Sequence, residues 1–247
     1  MNVCVFDEIR ALAREAADDA VAAIAAAVAD RGAAHVMLAT GNSQLAFLDE
    51  LVTRDVDWSS VVAFHMDEYV GLSPTHPASF QRYMRERVAA RVPVREFHYL
   101  QGDASDADAE AARYAALLAE EPLDLCCLGI GENGHLAFND PPVADFDDPL
   151  AVKAVELDDA CRRQQVGEGH FATIDDVPAH AITVTIPALL RARRVLAIVP
   201  EARKAVPVAS ALEGPISTAC PASILQTQDH ATLYLDRDSA ALLTASA

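Results

Sequence analysis

The chain has 247 residues, 52% of them apolar, and a formal net charge of −18. This length suffices for one large α/β domain or two small ones, and the apolar content supports a full hydrophobic core and argues against disorder. The strong negative charge argues against nucleic acids and anionic membrane surfaces as partners, because both are polyanions. A small anion could still bind where helix N-termini and a few basic side chains create a local positive site.

Five cysteines occur at irregular spacings and without a CxxC pair, so the sequence indicates neither a zinc knuckle nor a disulfide framework. The N-terminus lacks a basic region followed by an apolar core, and no apolar run approaches the ~20 residues that a membrane helix needs. We therefore expect a reducing, cytoplasmic setting.

The first predicted elements are a helix, a strand and a second helix. Helical spacing of apolar residues predicts a helix over residues 7–30, and a short apolar run predicts a strand over 35–39. A polar turn then leads into a helix predicted over 45–52. The turn consists of Thr40, Gly41, Asn42 and Ser43. In many α/β proteins such a turn holds phosphate, because free N–H groups and the helix dipole face the anion. A simple helix cap is the equal alternative.

A second strand, predicted over residues 61–65, runs into two adjacent acids, Asp67 and Glu68. One interpretation is a carboxylate held at the edge of a sheet as a general base. The alternative is a solvated turn or a helix cap. The next predicted elements are a helix over about 78–90, a strand over 97–100 and a helix over 105–120 capped by Ser105.

A third strand, predicted over residues 125–128, ends in a Gly-x-Gly-x-x-Gly segment from Gly129 to Gly134. This spacing matches the dinucleotide fingerprint, which should open a regular helix. Residues 139–142, Asn-Asp-Pro-Pro, would stop such a helix within two turns. The match is therefore weak support for NAD binding.

His135 follows these glycines, and Asp140 comes shortly after it. A carboxylate beside an imidazole fixes its tautomer and raises its basicity, which suits proton transfer near neutral pH. A structural histidine is the alternative, but a position just past the carboxyl end of a strand favours a functional one. His65, His135 and the nearby acids could bind a metal ion, but they do not form an HxH or HExxH motif, so we predict no metal site.

Residues 145–176 are the least regular part of the sequence, with many charges and little apolar period, and form either a lid over a site or a plain surface loop. Regular elements are then predicted as strands over 182–186, 195–199 and 231–235, and as helices over 187–192, over 201–212 with Lys204 in its first turn, and from Asp236 onward. Alternating strands and helices predict one α/β domain over residues 1–247, a doubly wound, mainly parallel sheet with helices on both faces.

Several sequence blocks, in the same order, resemble the glucosamine-6-phosphate deaminase (isomerase) family, which shares its fold with the 6-phosphogluconolactonases. They are HMDEYVGL from residue 65, HPASF from 76, LGIGENGHLAFNDP from 128, AITVTIPALL from 181, and RKA from 203 ahead of ALEG. The resemblance covers about residues 35–235, and the first and third blocks are its specific part. It implies conversion of glucosamine 6-phosphate into fructose 6-phosphate and ammonia, without a metal or nicotinamide cofactor.

The same resemblance implies roles for individual residues. Asp67 would be the base that moves a proton between C2 and C1 through an enediolamine, and His135, oriented by Asp140, would open the sugar ring. Asn133 would belong to the catalytic group, at a position where many members carry aspartate. The substrate and its phosphate would be bound by Thr40, Gly41, Asn42, Ser43, Glu68, Arg162 and Lys204.

The chain departs from the family pattern in three places. Asp140 is one methylene shorter than the family's glutamate, so we expect a longer or water-bridged contact with His135. Asn42 and Ser43-Gln44 replace the usual glycine and Thr-Pro of the phosphate loop. A second phosphate-binding arginine, expected near Gly167, is missing, and Arg163 is the candidate substitute.

Two other functions stay open. A lactonase acting on 6-phosphogluconolactone suits the fold and the histidine, but the DEYVG block from Asp67 is against it. A non-catalytic sugar-phosphate sensor would account for the departures. In each case the expected partner is a small phosphosugar, and the protein would be a monomer or a homo-oligomer.

Overall fold

The computed structural model describes residues 1–244. Its strands are β1 Asn2–Phe6, β2 Ala34–Leu38, β3 Val61–His65, β4 Asp67–Tyr69, β5 Glu96–His98, β6 Leu125–Leu128, β7 Val152–Glu156, β8 His180–Val184, β9 Arg194–Val199 and β10 Ala231–Asp236. Its α-helices are α1 Ile9–Arg31, α2 Leu45–Leu51, α3 Phe80–Met84, α4 Ala107–Glu120, α5 Asp159–Gly167, α6 Ile186–Leu190 and α7 Ala205–Glu213. Among the described residues, no helix is both long enough and apolar enough to span a bilayer.

The larger sheet has seven strands, all parallel, in the order β1-β10-β9-β6-β2-β3-β5. From β2 the chain moves outward through β3 to β5, and it then returns to the other side of β2 to form β6, β9 and β10. The strand order therefore reverses between β2 and β6. In open α/β sheets, ligands bind at this switch point, beyond the carboxyl ends of the strands.

Helices cover both faces of this sheet, because neighbouring residues of each strand point to opposite sides. Cys126 packs in the cluster that contains α4 and α7, whereas Cys127 packs in the cluster that contains α1 and α2. Strands β3 and β6 are buried along their whole length, and β2 between them is buried at four of its five residues. The predicted doubly wound, mainly parallel fold is confirmed.

A smaller antiparallel sheet, in the order β4-β8-β7, lies beside the carboxyl edge of the larger one. Only Met66 separates β3 from β4, so the chain leaves one sheet and enters the other within one residue. An aromatic cluster beneath the smaller sheet joins Tyr69 to three phenylalanines at centroid distances of 5.0 to 5.3 Å. These are Phe80, Phe138 and Phe171.

The smaller sheet corrects several sequence predictions. The strand predicted over 182–186 is β8, which lies at 180–184 and pairs with β4 and β7 instead of joining a parallel sheet. The segment 145–176, predicted to be irregular, contains β7 and α5. Strand β7 has the sequence VKAVE, whose short alternation is easily hidden among the surrounding charges.

Two predictions at helix ends are also wrong. Helix α4 is capped by Asp106, whose side chain accepts from the N–H groups of Asp108 and Ala109, and not by Ser105. The helix predicted to start at Asp236 does not form over the described residues 237–244, which adopt turns and bends. Asp236 is the last residue of β10, and its carboxylate accepts hydrogen bonds from the Ser239 and Glu201 N–H groups. These local bonds favour a turn over a helix.

Candidate active site

The loops that follow β2, β3, β6 and β9 converge on a cavity of about 70 Å³. Two of these loops flank the switch point, and the other two come from the next strands outward. Besides these four loops, α5 and the residues after it form part of the cavity wall. The polar side chains lining the cavity include Thr40, Ser43, Asp67, His135, Gln164, Gln165, Glu168, His170 and Lys204.

Asp67 lies at the start of β4, opposite Thr183 of β8. Its side chain is 6% exposed, and its Oδ1 atom has no hydrogen-bond partner. Burial, together with the nearby charges of Glu68 and Asp140, raises the pKa of Asp67 well above its ordinary value. A buried carboxyl group that lines a cavity and has a raised pKa is suited to general-base catalysis.

His135 faces the same cavity, and Asp140 lies behind it. Nδ1 of His135 is 2.8 Å from Oδ1 of Asp140, off the line of a regular hydrogen bond. Asn133 donates to the same carboxylate at 2.8 Å, and its own Oδ1 accepts the His135 N–H at 3.1 Å. Burial alone would raise the pKa of Asp140, but the His135 charge and the close contacts with His135 and Asn133 lower it. The group therefore holds an ionised Asp140 against the imidazole.

The contact between His135 and Asp140 corrects a sequence prediction. The sequence predicts a longer or water-bridged contact for the shorter aspartate, but the contact is direct. Residues 132–142 fold into tight turns with a bridge between Leu136 and Asn139, and Ala137 adopts a φ of 52°. Asn139 ties this loop to β8 by donating to the Val184 carbonyl at 2.9 Å. The compact loop brings Asp140 close enough to offset the missing methylene.

Two of the glycines in the β6 loop are required by this packing. A Cβ at Gly131 would lie 2.2 Å from the ring of His135, so the imidazole covers the bare backbone there. Gly134 has a φ of 85°, and a Cβ on it would lie 2.7 Å from Sγ of Cys220. The glycines thus make room for the imidazole, and no regular helix follows them.

One triad in the described chain has a spacing that a metal ion could use. Ligand atoms of His135, Asp140 and Cys161 lie within 4.8 Å of one another. Burial, followed by the charge of Asp140, raises the pKa of the Cys161 thiol, which disfavours the thiolate that a metal needs. His65 lies outside this triad: burial lowers its pKa to about 3, and its Nε2 accepts the Leu100 N–H at 2.9 Å.

Lys204 and residues of the 40–43 turn line the same cavity as the base and the imidazole. Lys204 is 3% exposed and precedes α7 in a single 3₁₀ turn, close to its predicted position. Thr40, Gly41 and Ser43 line the cavity, whereas Asn42 points to the α5 segment and donates to the Glu168 carbonyl at 3.2 Å. We call this corner the anion corner, because a buried ammonium beside a polar turn attracts an anion.

Three predicted binding residues lie elsewhere. The Glu68 carboxylate accepts the N–H groups of Tyr69, Phe80 and Gln81 and the Ser79 hydroxyl, so it anchors the start of α3. Arg162 donates to the carbonyls of Ile174 and Val177 and does not line the cavity. Arg163, the candidate substitute, has a side chain 66% exposed and pairs with Asp159. None of these three residues lines the cavity in this structure.

The α5 segment supplies residues that the sequence analysis missed. Gln164 accepts the Glu132 N–H at 2.9 Å and donates to Glu168 at 2.9 Å. Glu168 and His170 line the cavity near Lys204. Gln164 and Glu168 are one helical turn apart, and this spacing was the signal that could have placed them on one face.

A buried carboxylate, an imidazole beside an aspartate, and a buried lysine around one cavity are the groups that a proton-transfer enzyme with an anionic ligand would need. Comparison with known families narrows this class. A family model described as glucosamine-6-phosphate isomerases/6-phosphogluconolactonase matches residues 7–234. The chain belongs to this family.

Individual relatives agree with this assignment. The chain is 37% identical over 206 residues to the glucosamine-6-phosphate deaminase of Listeria monocytogenes serotype 4a (strain HCC23), covering 83% of this chain and 86% of the relative. A monomeric glucosamine-6-phosphate deaminase of solved structure superposes with a TM-score of 0.88 at 30% identity, covering 98% of this chain and all of that one. A 6-phosphogluconolactonase from Shewanella baltica OS155, with a TM-score of 0.78 at 22% identity and 96% and 97% coverage, shares the fold.

Proposed function

We propose that this protein is an aldose–ketose isomerase and deaminase that converts glucosamine 6-phosphate into fructose 6-phosphate and ammonia. The observation that carries the proposal is that Asp67 and His135, which follow strands β3 and β6, line one cavity together with Lys204. The relatives named as glucosamine-6-phosphate deaminases support the choice of substrate.

Asp67 is the base in this proposal. Its carboxylate, which lines the cavity, accepts the proton from C2 of the open-chain sugar, which gives an enediolamine, and returns that proton to C1. Water then adds to the resulting C2 imine, and ammonia leaves. The raised pKa of Asp67 suits this step, because the carboxyl group must both accept and release the proton.

His135 opens the sugar ring by moving protons at the ring oxygen and the C1 hydroxyl. Asp140 and Asn133 act through His135 as positioning residues. Asp140 contacts the imidazole, Asn133 accepts the backbone N–H of His135, and neither residue lines the cavity. A carboxylate at Nδ1 leaves Nε2 free for the sugar.

The phosphate would lie in the anion corner, on Thr40, Gly41, Ser43 and Lys204. This end is remote from C1 and C2, so it supplies orientation for the reacting carbons. The cavity of about 70 Å³ is much smaller than the ~300 Å³ of a typical ligand pocket. We therefore propose that the α5 part of segment 145–176 acts as a lid that moves to admit the sugar.

Two further proposals concern the whole chain. We propose that residues 1–247 act as a single domain, since the site draws residues from positions 40 to 204 and from both sheets. We also propose a cytoplasmic location, which the free state of Cys4, Cys126, Cys127, Cys161 and Cys220 supports. We expect the phosphosugar substrate to be the binding partner, and the protein to be either a monomer or a homo-oligomer.

The direct test compares two substrates on the purified protein. We expect ammonia release from glucosamine 6-phosphate and at most trace hydrolysis of 6-phosphogluconolactone. Lactone hydrolysis without ammonia release would favour the lactonase. Binding of glucosamine 6-phosphate without turnover of either compound would favour the non-catalytic sensor.

A further inference from the structure

The carboxylate of Glu168 lies in the same corner of the cavity as Lys204. We propose that Glu168 is a specificity-determining residue: its negative charge competes with a bound phosphate for the anion corner and so weakens the preference for phosphorylated sugars. The statement about sugars rests on the proposed function, whereas the statement about phosphate rests only on the corner itself.

Glu168 is fixed in this place by several contacts. Its side chain is 6% exposed. Oε1 accepts from Nε2 of Gln164 at 2.9 Å and from Nη1 of Arg203 at 3.1 Å, and Oε2 lies 3.3 Å from Nε2 of His170. Burial alone would raise the pKa of Glu168, but these contacts lower it to about 2, so the carboxylate is ionised at neutral pH.

The ammonium of Lys204 interacts electrostatically with the Glu168 carboxylate. Burial lowers the pKa of Lys204, and the charge of Glu168 is the strongest influence that opposes this shift. Glu168 thus serves as the internal counter-ion of Lys204 while the corner holds no ligand. Counter-ions in a buried site act at close range with little screening, so a second anion beside Glu168 is repelled.

Arg203 does not restore the positive charge that a phosphate would need. Its guanidinium is shared between Glu168, Glu201 at 2.6 Å and Glu132 at 3.7 Å. With the family's second lid arginine missing, the positive groups of this corner are largely matched by carboxylates of the protein itself. A phosphate dianion must therefore either displace Glu168 or bind against its charge.

The test substitution is Glu168→Gln, which keeps the size of the side chain and an oxygen that can accept from Gln164 and Arg203. The matched control is Glu132→Gln, which removes a carboxylate near the same arginine. Because Glu132 is 44% exposed, its charge is screened by solvent and should contribute little. Glu168→Ala is a second variant that removes the charge without requiring the amide to be accommodated.

The first measurement is the dissociation constant for inorganic phosphate, by calorimetry on the full chain. We expect about tenfold tighter binding in Glu168→Gln and Glu168→Ala, equal to about 1.4 kcal/mol, and no change in Glu132→Gln. Unchanged or weaker phosphate binding in both Glu168 variants would overturn the proposal, and so would the absence of any binding in wild type and variants alike.

The second measurement is the KM for glucosamine 6-phosphate and the ratio of kcat/KM for glucosamine 6-phosphate to that for glucosamine. In Glu168→Gln, KM should fall by about tenfold, kcat should change less than KM, and the ratio should rise by about tenfold. An active enzyme whose KM and ratio do not respond would contradict the proposal. If no variant releases ammonia, the proposed function fails, and the phosphate titration still decides the role of Glu168.

Discussion

The two ends of the cavity are built differently. The proton-transfer end, made of Asp67, His135 and Asp140, rests on strand termini and on a loop whose glycines fit the imidazole closely. The anion end, made of the 40–43 turn, Lys204 and Glu168, depends on side chains that pair across three separate segments. At the first end the backbone sets the geometry, and at the second end charge balance does.

This difference indicates which property each end controls. Groups fixed by the backbone suit chemistry, because a shift of ~1 Å can cost ~100-fold in rate. A cationic group held by ion pairs can exchange a carboxylate of the protein for an anion of the ligand, which suits discrimination between ligands. We therefore expect substitutions at the proton-transfer end to act mainly on kcat, and substitutions at the anion end to act mainly on KM.

The largest effect should come from Asp67→Asn. Loss of a general base typically lowers turnover by about 10²- to 10⁴-fold. The same change should stabilise the fold by about 0.5–2 kcal/mol, because it removes a buried carboxylate whose Oδ1 has no partner. Ammonia release and urea denaturation measure the two effects. A variant that is both inactive and less stable would indicate misfolding instead of a lost base.

The next effect concerns the packing of the imidazole. In Gly131→Ala, the new methyl group would meet the His135 ring at 2.2 Å and turn it away from the cavity, lowering kcat by about 10²-fold. Gly167→Ala is the matched control, since nothing lies within 4 Å of a Cβ there. Steady-state kinetics of the two variants should differ accordingly, and equal kcat values would show that the glycine contact is unimportant.

A smaller effect is expected at the anion end. Lys204→Gln should raise KM for glucosamine 6-phosphate by about 10- to 100-fold, the size of a lost hydrogen bond to a charged group, with a lesser change in kcat. Arg163→Gln, whose side chain lies outside the cavity and is 66% exposed, is the control. If Arg163→Gln raised KM as much as Lys204→Gln, the phosphate would lie under the lid helix and not in the anion corner.

The smallest effect is on stability in acid. Glu168 has a pKa of about 2 in the folded chain, below the ~4.3 of an unperturbed glutamate. Its stabilising contribution is therefore present above about pH 4.3 and is lost as the pH falls toward 2. Urea denaturation should show wild type more stable than Glu168→Gln by roughly 2 kcal/mol at pH 6, and little difference near pH 2. A gap independent of pH would mean that the carboxylate is not ionised in the folded state.

Much of the fold and of the proton-transfer end could be predicted from the sequence. Strands β3 and β6 lie at the predicted residues, because short buried apolar runs between turn residues are a strong signal. Asp67 and His135 each follow such a strand, so their meeting at one edge follows from the parallel sheet. Strand β4 was missed, since its sequence Asp-Glu-Tyr has low β propensity and forms only by pairing with β8.

The anion end was harder to predict, for a physical reason. Glu168 lies in a highly charged stretch, where a carboxylate usually faces solvent, and its pairing with Arg203, which is distant in sequence, could not be read from the local pattern. Glu68 shows the converse: its position beside Asp67 indicated a role in binding, but the N–H groups at the start of α3 take up its carboxylate. Side-chain direction at such positions depends on partners that are distant in sequence.

The central claim is that Asp67 moves a proton between C2 and C1 of the sugar. The most direct test is to incubate fructose 6-phosphate and ammonium with the protein in D₂O and to follow the C1 hydrogens by NMR. We expect deuterium to enter C1 with wild type and at least ~100-fold more slowly with Asp67→Asn. Exchange at the wild-type rate in Asp67→Asn would show that another group is the base.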